Sequence, residues 1–182
     1  MGRRKTIDRE KVLDAAEKII FEQGSASLTI DTVAKAANIT KGGIQSCFGT
    51  KDAMIDAMLQ RCWAHYGLQI QAANPAAQSP EEIIQAHISV TADETDNNTS
   101  RAASLIANML QSPDRLNTAQ QWYTDRWQEL SQINPDKIQQ YRLAFLATEG
   151  IFFLKHFNLM KLDEAEWDQY FLEIQALISS HK

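Results

Sequence analysis

Apolar residues recur at three- and four-residue spacing from position 12 almost to the end of the chain, and no stretch alternates apolar and polar residues as a half-buried strand does. Val12, Leu13, Ala16, Ile19 and Ile20 form the first stripe, with Gly24 placed to end its helix. A short helix follows with Ile30, Val33, Ala34 and Ala37 on its face, Thr29 as its N-cap, and Leu28 and Val33 at hydrophobic-staple spacing. Ile39 and Ile44 repeat that spacing around Thr40, the N-cap of another short helix that ends at Phe48 and Gly49. Thr50 then opens a long helix to about Ala73, striped by Met54, Ile55, Met58, Leu59, Cys62, Trp63, Tyr66 and Ile70.

Asn74 and Pro75 lie in a loop from Ala73 to Gln78. Ser79, Pro80 and Glu82 then spell a capping box with proline at the first helical position, and Ile83, Ile84, His87 and Ile88 line the helix they open. A polar run from Asp93 to Asn98 breaks it. Leu105, Ile106, Met109 and Leu110 mark the next helix, ending near Ser112 and Pro113. Leu116, Ala119, Tyr123, Trp127 and Leu130 mark another, continuing to Asn134 and Pro135, where an eighth begins. The last starts at Asp163 with Glu166 as its box partner and carries Trp167, Tyr170, Phe171, Ile174, Leu177 and Ile178. The pattern predicts an all-α chain of about nine helices.

The stretch from Leu143 to Leu154 is apolar nearly all round, so its helix must be covered on every side. One face meets the chain's own core; the other needs either more of the same chain or a second copy. Pairing this helix with the last one, with Gly150 permitting close approach, predicts an isologous dimer interface through Phe145, Gly150, Ile151, Leu154, Phe171 and Ile174.

Charge divides unevenly. Residues 1–62 carry ten Lys/Arg against eight Asp/Glu, whereas the remaining 120 carry eight against fifteen. A mildly basic head on an acidic body approaches a polyanion in one orientation. Two cysteines, Cys47 and Cys62, are too few for a disulfide framework and suit a reducing compartment. No apolar run reaches the ~20 residues needed to span a bilayer, and the basic start has no signal-like apolar segment behind it. A cytoplasmic, nucleoid-associated protein with no membrane partner is expected.

Thr29 to Phe48 reads as two short helices joined by a tight turn, the arrangement whose second helix enters the major groove of DNA. Ala34 and Ala37 are small where such helices cross. Gly42 and Gly43 fall in the first turn of the second helix, where they weaken it yet let backbone approach a phosphate; contact, rather than packing, is the expected reason for both. Gln45 can bind adenine in bidentate fashion, and Lys41 can donate to guanine. Lys51 sits at the start of the long helix, where phosphate is attracted.

At these residues the chain resembles the TetR family of transcriptional regulators. The resemblance rests on Arg9 to Ala16, Gly24, Leu28 to Ile44 and Phe48 to Ala53, about a third of the chain. It implies a helix-turn-helix DNA-binding domain over residues 1–50, with its recognition helix at about 40–47, and a helical ligand-binding and dimerisation domain over 51–182. It also implies that Thr29 touches a phosphate and that Thr40, Lys41, Gly42 and Gly43 open the recognition helix. Lys41 and Gln45 would then reach bases or backbone, and Lys51 a phosphate. Where the family usually carries aromatic residues, near the end of that helix, this chain has Gln45, Ser46 and Cys47, with Ser46 among the residues expected to face DNA. Arg3 and Arg4 can serve as an arm on phosphates or in the minor groove, or can simply be solvated.

The expected partners are a palindromic double-stranded operator, a second copy of the chain, and a small, partly apolar effector whose binding releases DNA. The resemblance implies an effector pocket among the middle helices, for which Trp63, Tyr66, Met109, Tyr123, Trp127 and Phe152 are the candidates; plain core is the competing reading of each. No cofactor or metal is expected: Cys62 and His65 lack a second pair of ligands, and the acidic run lacks the order of a calcium loop. Cys47 is poorly placed for redox use, since a helix C-terminus opposes a thiolate. No nucleophile elbow, phosphate loop or dinucleotide motif occurs, so an enzyme is not expected; Glu149 with His156 is the nearest approach to a catalytic pair. An adaptor that keeps the DNA-binding head but binds a protein through its body is the alternative.

Overall fold

The computed structural model describes residues 7–93, 98–110 and 112–179; Arg3, Arg4 and the middle of the acidic run lie outside the described residues. Within them the chain forms nine α-helices and no strand: α1 Arg9–Gln23, α2 Ile30–Ala36, α3 Lys41–Phe48, α4 Lys51–Ala73, α5 Pro80–Ala92, α6 Asn98–Met109, α7 Pro113–Leu130, α8 Ile138–His156 and α9 Glu164–Ser179. A single 3-10 turn, Ser25–Ser27, separates α1 from α2.

Side chains set the helix starts. Thr29, Thr40 and Thr50 accept from the backbone N–H groups of Thr32, Gly43 and Ala53 at 3.1, 3.1 and 3.0 Å. Ser79 and Glu82 close a reciprocal box, as do Asp163 and Glu166. Each satisfies donors that a helix N-terminus otherwise leaves bare. Asp8 adds a cap on α1, accepting from the N–H of Lys11. The α7–α8 junction departs from expectation: α7 stops at Leu130, and α8 begins at Ile138 rather than at Pro135. Asn134 is the cause. Its side-chain oxygen accepts from the Asp136 N–H, and its carbonyl accepts from the Lys137 and Ile138 N–H groups. The intervening residues are thereby drawn into a side-chain-closed turn.

The chain resolves into two compact units, one of Met1–Trp63 with Ser100–Gln111, the other of Ala64–Thr99 with Ser112–Lys182. In the first, Val12, Ala16, Leu28, Val33, Ile44, Met54 and Met58 are buried, the stripes of α1 to α4 facing inward as their periodicity requires. Arg61 on α4 clamps α1: its guanidinium meets Glu10, Asp14 and Glu17 at 3.0, 2.8 and 2.8 Å, and its Nε also donates to Glu17. In the second unit α5 packs against α8 and α9, with Ile84, Ile88, Leu130, Phe145, Trp167, Phe171 and Ile174 in one cluster. Trp167 Nε1 donates to the Ala92 carbonyl at 2.9 Å, tying α9 to the end of α5.

Cys62 follows Arg61 on α4. Burial, with the Glu17 charge second, pushes its thiol up from 9.0 to about 11. The folded chain therefore holds this proton more tightly than the unfolded chain. The associated stability is intact below about 9 and fades as pH rises to about 11. Alkylation of Cys62 by iodoacetamide at neutral pH is expected to be slower than that of a free peptide thiol, followed by mass of the labelled peptide. The melting temperature should fall above pH 9, less steeply in Cys62→Ala.

Candidate nucleic-acid interface

The turn between α2 and α3 is closed by backbone geometry. Asn38 takes a left-handed conformation, φ 54°. This lets the Ile39 N–H reach back to the Ala34 carbonyl at 3.0 Å and the Asn38 N–H reach Lys35 at 3.2 Å. The chain reverses within Ala37–Thr40, and Ile44 of α3 is fully buried, with Val33 of α2. α3 is thereby fixed with Lys41, Gly42, Gln45 and Ser46 exposed on its outer side.

The glycines differ in role. Gly43 is buried; a Cβ there would lie 2.8 Å from Ile7 Cδ1 and 3.4 Å from Thr40 Oγ1. Its N–H is already engaged by Thr40. Gly43 thus has a packing reason beside the contact role expected of both glycines. Gly42 is exposed, and a Cβ there would meet only Thr40 Oγ1, at 4.0 Å. Gly42→Ala is expected to raise stability by about 0.5–1 kcal/mol through helix propensity while weakening operator binding several-fold. Thermal melts and duplex titrations check the two signs separately; a variant more stable and equally tight would remove the contact role.

Lys41 Nζ lies 2.6 Å from Asp31 Oδ2, and both side chains are exposed. Thr29 and Thr40 are exposed at the starts of α2 and α3, and Lys51 is half-buried at the start of α4. Sequence reading missed Arg9. Its guanidinium lies 4.5 Å from the centre of the Phe48 ring and its Nη1 donates to the Cys47 carbonyl at 3.3 Å, closing the C-terminal end of α3. A contact spanning 38 residues leaves no local signal.

Four of the six pocket candidates, Tyr66, Tyr123, Trp127 and Phe152, belong to the second unit. Tyr66 and Tyr123 meet, in the second unit, around His87 and Glu149. Trp127 is 42% exposed, with the Arg142 guanidinium 5.4 Å from its ring centre. Phe152 meets Phe153 edge to face and has the tilted His156 ring 4.7 Å from its centre. Trp63 and Met109 belong to the first unit. Glu149 faces His87, 3.0 Å away, a partner on another helix that sequence reading did not link to it. The missed signals were a lone histidine on an apolar stripe and the one charged residue within Leu143–Leu154.

The dimer candidates also divide. Phe145, Phe171 and Ile174 are buried in the chain's own core and present nothing to a partner, while Leu154 is exposed and Gly150 and Ile151 are half-buried. Leu143 and Leu146 on α8, with Leu172 and Leu177 on α9, carry the exposed apolar surface. Periodicity had marked α8 and α9 as strongly apolar but not which side of each turns inward.

Two short helices locked by an asparagine turn, the second offering a capped and exposed N-terminus, define the helix-turn-helix class of DNA-binding protein. Residues 12–58 match the description "Bacterial regulatory proteins, tetR family", and residues 81–179 match "Tetracyclin repressor-like, C-terminal domain". The chain belongs to the TetR family of transcriptional regulators. Over 82 residues it is 32% identical to the HTH-type transcriptional regulator BetI of Brucella canis, a match covering 45% of this chain and 41% of that protein. The chain thus spans less than half the length of the curated relatives it matches. Among solved structures, a TetR-like transcriptional regulator from Rhodococcus sp. RHA1 superposes with a TM-score of 0.70 at 17% identity, over 97% of each chain. The multidrug binding protein EbrR, complexed with malachite green, gives 0.70 at 20% identity over 93% of this chain and 97% of that one. No helix among the described residues is long and apolar enough to cross a membrane.

Proposed function

We propose that this protein is a repressor that binds a palindromic operator as a homodimer and releases it when a small, partly apolar effector enters the C-terminal body. The exposed N-terminal tip of α3 carries the reading: Thr40, Lys41, Gly42, Gln45 and Ser46 lie on or beside it and are exposed. The positive dipole end of α3 favours phosphate there, and Lys41 and Gln45 have the donors that base edges require. Thr29 and Lys51 extend the same contact surface onto α2 and α4. Residues 1–50 are the proposed DNA-binding domain and 51–182 the effector and dimerisation domain.

The homodimer is supported by the leucines left exposed on α8 and α9. Leu143, Leu146, Gly150 and Leu154 recur along one side of α8, and a Cβ at Gly150 would meet nothing within 4 Å. An apolar helix face of that kind needs a cover, and a two-fold axis supplies one from the same residues. Effector binding is supported by EbrR, a protein of similar fold solved with malachite green and with ethidium. Residues of α4 belong to both compact units, so this helix is the proposed carrier of the change. A ligand that favours a dimer whose recognition helices are not ~34–36 Å apart lowers operator affinity by its differential binding, typically ~1–3 kcal/mol. Such a regulator acts in the cytoplasm, at the nucleoid.

Selection of bound duplexes from a random pool tests the reading. Enrichment of an inverted repeat with half-sites about one helical turn apart is expected. Enrichment of an isolated half-site, or none, contradicts it.

A further inference from the structure

A carboxylate stands within the proposed DNA-contact surface. Asp31 on α2 places its Oδ2 2.6 Å from the Nζ of Lys41 on α3, and the two side chains are 51% and 65% exposed. Thr29, two residues before Asp31, and Thr40, next to Lys41, are exposed as well. Folding gives little reason for the pair, because exposed ion pairs contribute little to stability. Capping gives none: Thr29 and Thr32 already close a reciprocal box at the start of α2.

A negative side chain among phosphate contacts opposes binding to DNA of every sequence. It is useful there where it meets a donor on a base edge, and the major groove offers two, adenine N6 and cytosine N4. Beside adenine N6 lies the N7 acceptor, which repels the second oxygen of a carboxylate. Beside cytosine N4 lies the O6 of its paired guanine, with N7 next to it, and both are acceptors. A G·C pair therefore presents acceptors and a donor side by side, the complement of an ammonium held against a carboxylate. The spacing agrees. Lys41 Nζ and Asp31 Oδ2 are one hydrogen-bond length apart, as guanine O6 and cytosine N4 are within the base pair, so two bonds can run across in parallel.

We infer that Asp31 is a specificity-determining residue: it accepts from the N4 amino group of one cytosine in each operator half-site, while Lys41 donates to the guanine paired with it. The inference rests on the reading of α2 and α3 as the DNA-binding element, and it names one base pair of the operator. On this account Asp31 lowers affinity for DNA in general and raises the preference for one sequence.

Selection of duplexes from a random pool by the full-length protein, by Asp31→Ala and by Asp31→Asn tests it. The unaltered protein is expected to require a C·G pair at one position of each half-site. Asp31→Ala should relax that position alone, cutting its discrimination by about tenfold or more, while binding to unrelated duplex rises several-fold. Asp31→Asn should turn the preference toward adenine, since an amide donates to N7 as it accepts from N6. Base preference unchanged in both variants overturns the inference, even where the melting temperature falls, because a carboxylate that only stabilises α2 would do that much. A second measurement needs no variant: 2-pyrimidinone, which lacks the N4 amino group, in place of that cytosine should weaken binding of the unaltered protein by about tenfold. Undiminished affinity for that duplex overturns the inference as well. If the unaltered protein selects an inverted repeat that the variants leave unchanged, only the role of Asp31 falls; if it selects no sequence, the regulatory reading falls with it.

Discussion

Replacing Lys41 and Lys51 together by alanine lowers operator affinity by one to two orders of magnitude and flattens the dependence of log K on log salt by about one to two. Both residues open helices, α3 and α4. A positive charge at a helix N-terminus opposes the dipole by ~0.3–1 kcal/mol, so neither lysine is there to stabilise its helix. An anion bound from outside reverses that sign. The exposed Lys41–Asp31 pair is no obstacle, because exposed pairs contribute about 0–1 kcal/mol and are screened by salt. The double variant should therefore melt at the same temperature or slightly higher while losing DNA. Duplex titrations across a salt series measure the loss, and a variant that loses stability and affinity together would point to a structural role for the lysines.

The second large effect concerns assembly. Leu146→Asp with Leu172→Asp is expected to leave the helices intact and convert the dimer to monomer. The two leucines are 53% and 62% exposed, so the single chain loses little packing. In a two-fold dimer each change occurs twice, giving four carboxylates to bury without partners at ~1–3 kcal/mol or more each. Few interfaces survive that. Analytical ultracentrifugation should show the mass of one chain where the unaltered protein shows two, and affinity for an inverted repeat should fall toward that for a single half-site. A variant still at twice the chain mass would place the interface elsewhere.

The helix count and most boundaries were legible because local chemistry sets them. A threonine or serine before an apolar stripe, joined at Ser79 and Asp163 by a glutamate three residues on, states where a helix begins wherever the chain lies. The helix-turn-helix was legible for the same reason, its caps and staples being contacts within a few residues. What stayed hidden depended on distant neighbours. Arg61 on three acids of α1, Arg9 on Phe48, and Ile7 over Gly43 are contacts between residues 36 to 51 apart. Phe145 and Leu146 are adjacent in an apolar run, yet one is core and the other surface. Composition cannot separate them; only the direction of the helix axis does. Glu149 was visible as an anomaly, but its partner His87, on another helix, was not.

Amide hydrogen exchange with and without operator duplex measures the central claim most directly. Bound DNA should slow exchange over the first turn of α3, from Lys41 to Gln45, and at Lys51, in both copies of the dimer. Protection confined to other surfaces, with the α3 tip exchanging as fast as in the free protein, contradicts the account.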